Sequence, residues 1–286
     1  MLLQNKIDFK AIITVENANP NGDPLNSNMP RTTIDGYGEI SDVCIKRKIR
    51  NRLLDMGENI FIQSDDKNVD GYSSLRERAD SNPKLREELN KGKNADKDVF
   101  AKIACSEWID VRSFGQVFAF KGSELSLGIR GPVSVHPAFS VDPVDVSSLQ
   151  ITKSVNSESG ASGKSSDTMG MKHRIDFGVY ILKGSINVQL AEKTGFSVED
   201  AEKIKEALKT LFVNDASSAR PEGSMNIYKL YWWTHNNKTG QYNTKKVHDS
   251  IIVAKKEGIV TPKSIDDYDI IENRLDCLKL DIYECV

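Results

Sequence analysis

Ser41-Asp-Val-Cys-Ile-Lys-Arg-Lys-Ile-Arg-Asn-Arg-Leu53 is the segment from which the fold is read. Its last ten residues, Cys44 to Leu53, carry five cations and no acid, in a chain of 286 residues whose formal net charge is only -2. Ser41 suits a helix N-cap, and Asp42 places a carboxylate at the positive end of the helix dipole. Ile45, Ile49, Leu53 and Met56 recur at helical spacing and define the core face. The cations then split into Lys46, Arg47 and Arg50 on one flank and Lys48 with Arg52 on the other. One flank can follow a phosphate path while the other meets a neighbour or solvent. The alternative is a solvated helix whose cations only aid solubility, although such helices usually interleave acids at i,i+4 and this one has none after Asp42.

Upstream, Ile7, Phe9, Ile12, Ile13 and Val15 read as a first strand. The loop Asn17-Ala-Asn-Pro-Asn-Gly-Asp-Pro24 is rich in residues that accept unusual backbone geometry. Downstream, residues 63–98 are polar and poor in large apolar side chains, which suggests an inserted subdomain or long excursion. A short helix is expected to end near Gly115, and strands to run from Leu125 to Ile129 and from Val133 to Val141, with Gly131-Pro132 marking a bulge or bend where the backbone comes close to another group. Residues 150–174 read as a projecting hairpin with a Ser/Gly tip, Lys153 on one arm and Lys172, His173 and Arg174 at the base of the other. A strand follows from Ile175 to Leu190, then a helix capped at Ser197 with Glu199 and Asp200 in its first turn. Ile227-Tyr-Lys-Leu-Tyr-Trp-Trp233 reads as a buried strand, with two of Tyr231, Trp232 and Trp233 assigned to packing and one left to stack a base.

With the insertions collapsed, the order is β-α-β-β-α-β. That order predicts a single α+β domain spanning 1–286 on the ferredoxin-like or RNA-recognition-motif plan.

A hydrophobic content of 38% supports a core, and a near-neutral net charge excludes wholesale basic coating, so nucleic-acid binding must come from patches. No apolar stretch near the N-terminus reaches the length of a membrane helix or a signal sequence, which points to a cytoplasmic protein without membrane contact. Cys44, Cys105, Cys277 and Cys285 are far apart and lack metal-ligand spacing, so they read as reduced structural thiols. Glu158-Ser-Gly-Ala-Ser-Gly-Lys-Ser165 resembles half of a phosphate-binding loop but has Glu158 where the first glycine belongs. Asn17 to Asn28 echoes a calcium loop with amides in place of carboxylates, and a structured turn is the better reading. No cofactor and no metal is therefore expected. Among His136, His173, His235 and His248, His173 between Lys172 and Arg174 is the best candidate general base for RNA cleavage, although a phosphate-contacting or structural role is the better reading of it. Asp23 and Asp35 sit in turn contexts that favour Asp for backbone reasons.

Asn19-Pro-Asn-Gly-Asp-Pro24, Ser41 to Arg50, Asp110-Val-Arg-Ser-Phe-Gly-Gln-Val-Phe-Ala119 and Gly131-Pro-Val-Ser-Val135 closely resemble, in order, the backbone subunit of type I-C CRISPR Cascade complexes, of the RAMP superfamily. The resemblance implies a non-enzymatic protein with a modified RNA-recognition-motif palm, large insertions and a thumb hairpin. Several copies would polymerise along the guide RNA spacer and present its bases to target DNA, beside the large and repeat-end subunits. It places Asn19, Asn21, Gly22, Asp23, Lys46, Arg47 and Arg50 on the guide backbone, adds Ser113 and Gln116 as polar contacts, and makes 150–174, with Lys153, Lys172, His173 and Arg174, the thumb. Arg220 would contact a neighbouring subunit or nucleic acid. Related type III subunits cut RNA with a loop Asp, which raises Asp23 and Asp35, and the type I pattern argues against it. Charge reversal at Lys46 and Arg50 is expected to weaken RNA binding and assembly without unfolding the subunit; the rival reading is a metal-independent endoribonuclease using His173.

Overall fold

The computed structural model describes residues 1–122, 125–152 and 169–285. The first apolar run forms β1 (Ile7–Ala18), and residues 7 to 13 are all buried because both faces of this strand are covered. Two-residue strands β2 (Gly22–Asp23) and β3 (Met29–Pro30) pair within the following loop, and β4 (Tyr37–Ile40) leads into α1 (Asp42–Asp55). Ser41 caps α1 as its position predicts, its hydroxyl accepting the Cys44 amide at 3.3 Å, and Ile45, Ile49 and Leu53 are buried.

The polar stretch that follows contains α2 (Leu75–Ser81) and α3 (Pro83–Asn90), then α4 (Lys97–Glu107), α5 (Ile109–Phe114) and a hairpin of β5 (Gly115–Ala119) and β6 (Ser126–Arg130). Each helix contributes a narrow apolar stripe, and Ala79, Leu85 and Leu89 join Phe61, Phe100, Trp108 and Phe118 in a second core. Few large side chains are needed because the aromatic rings interlock, Phe61 lying 4.7 Å from Trp108 and 5.1 Å from Phe118 between ring centroids. Gly115 ends α5 with a φ of 79°. The bend at Gly131 is a close backbone approach, since a Cβ there would stand 2.2 Å from the Ser113 carbonyl oxygen.

β7 (Val133–Val135), β8 (Ala138–Pro143), β9 (Val146–Thr152) and β10 (Met169–Ile186) follow. β9 pairs antiparallel with the start of β10, from Thr152 opposite Met169 to Val146 opposite Ile175. The tip between them, including Lys153 and the Ser/Gly loop, lies outside the described residues. β10 ends at Ile186 rather than Leu190, because Asn187 accepts the Leu190 amide at 2.8 Å and starts a new helix, α6 (Val188–Thr194). α7 (Val198–Lys209) opens with a capping box between Ser197 and Asp200. β11 (Met225–Thr234), α8 (Thr244–Asp249), β12 (Ile251–Lys255), β13 (Tyr268–Glu272) and β14 (Lys279–Glu284) complete the chain.

The fold is α+β around a central antiparallel sheet in the order β14-β11-β1-β10-β8-β4. α1 and α7 cover one face, where Phe9, Ile13, Ile45, Ile49, Ile204, Leu208 and Trp232 share the main core. The other face, with Ile12, Val179, Tyr231 and Trp233, is covered by Val247, Ile251, Tyr268 and Leu278 from the C-terminal region. A bulge in β11 decides which aromatic goes where. Ile12 pairs with Lys229 but Ile13 with Ile227, so Tyr228 is an extra residue. The extra residue inverts the alternation, and Met225, Ile227, Leu230 and Trp232 all reach the helix side although their spacing changes parity. Trp232 stacks on Phe9 at 5.6 Å, while Tyr231 and Trp233 pack on the opposite face. All three are core, which corrects the expectation that one is left for base stacking: each ring is covered and none is presented to a base.

Candidate nucleic-acid interface

The loop after β1, the polar side of α1 and the segment 214–220 enclose a cleft of about 350 Å³. Asn21, Gly22, Arg47 and Arg220, four of the residues singled out in the sequence, line it together. The loop is held from within. Asn21 accepts both the Ser41 amide (3.0 Å) and the Ser41 hydroxyl (2.8 Å) on its Oδ1, so the residue that caps α1 also anchors the loop to it. Asn19 is buried and donates to the Asn28 carbonyl at 2.8 Å, and Asn17, Ser27 and Asn28 take positive φ. Asp23 accepts the Leu25 amide and pairs with Arg31 at 3.4 Å, a turn role.

The cations of α1 are not left to solvent. Acids from other segments meet three of them: Arg47 pairs with Asp66 at 3.1 Å, Arg50 with Asp110 at 3.0 Å, and Lys48 with Asp215. Lys48 therefore belongs to the cleft and not to a solvent or neighbour-facing flank; its side chain is 4% exposed, and burial holds its ammonium below the usual lysine range against the pull of Asp215. Arg52, on the same flank, donates to Thr210 at 2.7 Å. Lys46 pairs with Asp42 at 2.9 Å, one turn back.

These pairs differ in what they can release. Arg47 and Asp66 are 59% and 69% exposed at the side chain, and such a pair contributes about 0–1 kcal/mol, so a phosphate can take the place of Asp66. Arg50 is held differently. Asp110 is buried and also accepts the Phe61 and Ile62 amides at 2.8 and 3.1 Å, and the Arg50 guanidinium lies over Phe114 at 5.1 Å. Arg50 thus joins α1 to the second core, and its charge reversal cannot leave the fold untouched as the sequence suggests. Arg220 shares Asp215 with Lys48, at 3.2 Å. Four cations (Arg47, Lys48, Lys67 and Arg220) and two carboxylates (Asp66 and Asp215) line the cleft, and Lys67 is paired behind it with Asp55 at 2.9 Å, so a single positive charge remains in excess.

The other predicted site residues lie elsewhere. Ser113 is fully buried in α5 with its backbone against Gly131, so its side chain is not available as a surface contact. Gln116 stands on β5 and donates to the Val117 carbonyl. Lys172, His173 and Arg174 lie on β10 opposite Leu149, Ser148 and Ser147; His173 Nδ1 shares a hydrogen bond with the Ser148 hydroxyl at 2.7 Å, and Arg174 is 3.6 Å from Asp176. His235 and His248 are buried, His235 against Asp8 at 2.8 Å. Lys48, one of the α1 cations assigned to the other flank, also lines the cleft, as do Lys67 and Asp215, which carried no local sequence signal, since Asp215 meets Lys48 across 167 residues. Among the described residues no group of three or more His, Cys, Asp or Glu could hold a metal ion, and no helix is long and apolar enough to cross a membrane.

Residues 5–273 match the family of CRISPR-associated protein Cas7. A CRISPR-associated protein Cas7 of Haloferax volcanii is 26% identical over 224 residues, which is 71% of this chain, and the match spans 63% of that curated relative's length. Among solved structures, a chain of a CRISPR RNA-guided surveillance complex, pre-nicking, has a similar fold, with a TM-score of 0.51, 16% identity and 83% of each chain covered. An α+β sheet closed on both faces, a basic cleft beside its first helix and a family match over nearly the whole length agree: the chain belongs to the CRISPR-associated protein Cas7 family.

Proposed function

We propose that the chain is a non-catalytic, multi-copy guide-RNA-binding backbone subunit of a type I-C surveillance complex in the cytoplasm. Copies polymerise along the guide spacer and present its bases for pairing with target DNA, next to the large and repeat-end subunits. The observation that carries this reading is the convergence of Asn21, Gly22, Arg47 and Arg220 on one electropositive cleft. A path of loop residues, the exposed Arg47 guanidinium and the half-buried Arg220 suits a sugar-phosphate backbone, which is bound by shape and charge while sequence is left to base pairing. Family membership and the fold shared with a chain of an RNA-guided surveillance complex support the same reading.

Finer features have their own support. β11, β1, β10 and β8 stand in the order fourth, first, third, second of the βαββαβ plan, with α1 and α7 on one face, which favours an RNA-recognition-motif palm. The second core built from Phe61 to Leu125 favours an inserted unit around 63–98. The pairing of β9 with β10 favours a thumb, with Lys172, His173 and Arg174 at its base. His173 is engaged by Ser148 and suits a phosphate contact better than a general base.

The test is the mass of complexes formed on guide RNAs of increasing spacer length, with RNA integrity followed in the same samples. Stepwise mass gain on intact RNA is the expected result. Length-independent mass would make the protein a simple RNA binder, and cut RNA that becomes intact in a His173→Ala variant would make it an endoribonuclease.

A further inference from the structure

The sheet face opposite α1 carries a second cationic site. Lys10 on β1 and Lys183 on β10 are direct cross-strand partners, an arrangement that destabilises a ladder unless an anion offsets it. Both line a cavity of about 690 Å³ together with His136, Phe139, Asp249 and Ile252, and this cavity shares no residue with the cleft beside α1. Lys10 is 5% exposed and its ammonium donates to the carbonyls of Ile251 and His248, the latter at 3.0 Å, which leaves one of its three donors. The Lys183 ammonium makes no hydrogen bond or ion pair among the described residues. From α8, Asp249 faces the same space and offsets part of the charge of Lys10 and Lys183 while also pairing with the exposed Lys245, so two ammonium groups share one divided carboxylate; His248 donates its ring N–H to the Gly184 carbonyl at 3.1 Å. Burial, reinforced by Lys183, depresses the Lys10 ammonium to about 8.

We infer that this cavity binds a nucleotide unit, with its phosphate among Lys10, Lys183 and His136 and its base against Phe139. Three donors from separate segments suit a tetrahedral oxyanion, which offers several acceptor oxygens, better than the planar carboxylate of an acidic peptide. Phe139 is 42% exposed and Ile252 44%, and an open ring beside a cation pair is the surface on which a base stacks. The inference does not depend on the guide-binding reading, because the two sites have no residue in common.

The test is equilibrium binding of the whole chain to adenosine 5′-monophosphate, inorganic phosphate, adenosine and a short single-stranded oligonucleotide without a terminal phosphate. Saturable binding of the monophosphate and not of adenosine is expected, weakening from pH 7 to pH 9 as Lys10 loses its proton. Oligonucleotide binding that is lost in Lys183→Gln and kept in Arg47→Gln identifies a strand as the occupant of this cavity, and oligonucleotide binding indifferent to Lys183→Gln identifies a free nucleotide. Lys183 makes no side-chain bond that folding needs, so Lys183→Gln should keep the fold and weaken the monophosphate roughly tenfold, the effect of one charge-assisted hydrogen bond. Phe139→Ala should weaken the monophosphate and leave inorganic phosphate unchanged. No saturable binding of any phosphate-bearing probe, an unchanged Lys183→Gln variant, or capture of an acidic peptide instead would overturn the assignment. Guide-RNA retention by Lys183→Gln, measured alongside, should equal wild type; a parallel loss would place the cavity on the guide path and remove it as a second site.

Discussion

Arg47 and Arg50 stand on the same flank of α1 and serve different ends. Arg47 is exposed and paired with an exposed acid, so Arg47→Glu should change unfolding free energy by no more than about 0.5 kcal/mol while lowering guide-RNA affinity roughly tenfold. Arg50→Glu should cost about 3 kcal/mol in denaturant unfolding, because it leaves Asp110 buried with a like charge beside it. Equal stability of the two variants would contradict this division. At His248, burial lowers the imidazole from its ordinary 6.5 to about 4. The unfolded chain binds a proton that the folded chain refuses between those values, so stability is full above pH 6.5 and falls as the pH drops toward 4, by up to about 3 kcal/mol. Asp8 and Asp200 extend the loss further into acid: burial raises both, but hydrogen bonds from His235 and Lys6, and from Arg112, outweigh it and hold them below 3.8. Unfolding curves between pH 4 and 7 check this, and His248→Gln should flatten the upper part of the slope.

The capping of α1 ties one element to the site. Ser41 satisfies the Cys44 amide and donates its hydroxyl proton to Asn21, so Ser41→Ala removes a cap and a loop anchor together. We expect a loss of about 1 kcal/mol in stability, typical of an N-cap, accompanied by weaker RNA binding in a filter assay. Much of this element was legible: a hydroxyl before an acid and a helical apolar stripe need no tertiary information. The end of β10 and the face assignment of Trp232 were not, because one capping asparagine and one bulged residue each reset the periodicity on which the reading depends.

For the whole molecule, charge and length make the assembly testable. If Arg47 and Arg220 neutralise phosphates, a log–log plot of RNA affinity against salt should lose about one unit of slope in an Arg47→Gln variant, as one fewer counterion is released. An unchanged slope would remove Arg47 from the interface. At the same scale, Asp200 accepts from Arg112 at 2.7 Å and 3.0 Å, so α5 and α7 are tied to each other through a largely buried ion pair.

The cap and core face of α1, the short helix ending at Gly115 and the cap at Ser197 followed from the sequence, because each depends on contacts within a few residues of chain. The basicity of one helix, and with it the polyanion reading, was equally local. Only the tertiary structure decided which of those cations remain available. Asp66, Asp110 and Asp215 are 19, 60 and 167 residues from their partners, and Coulomb attraction acts through space without leaving a pattern along the chain. The same holds for Lys10 and Lys183, which sequence separates and the β1–β10 register sets face to face.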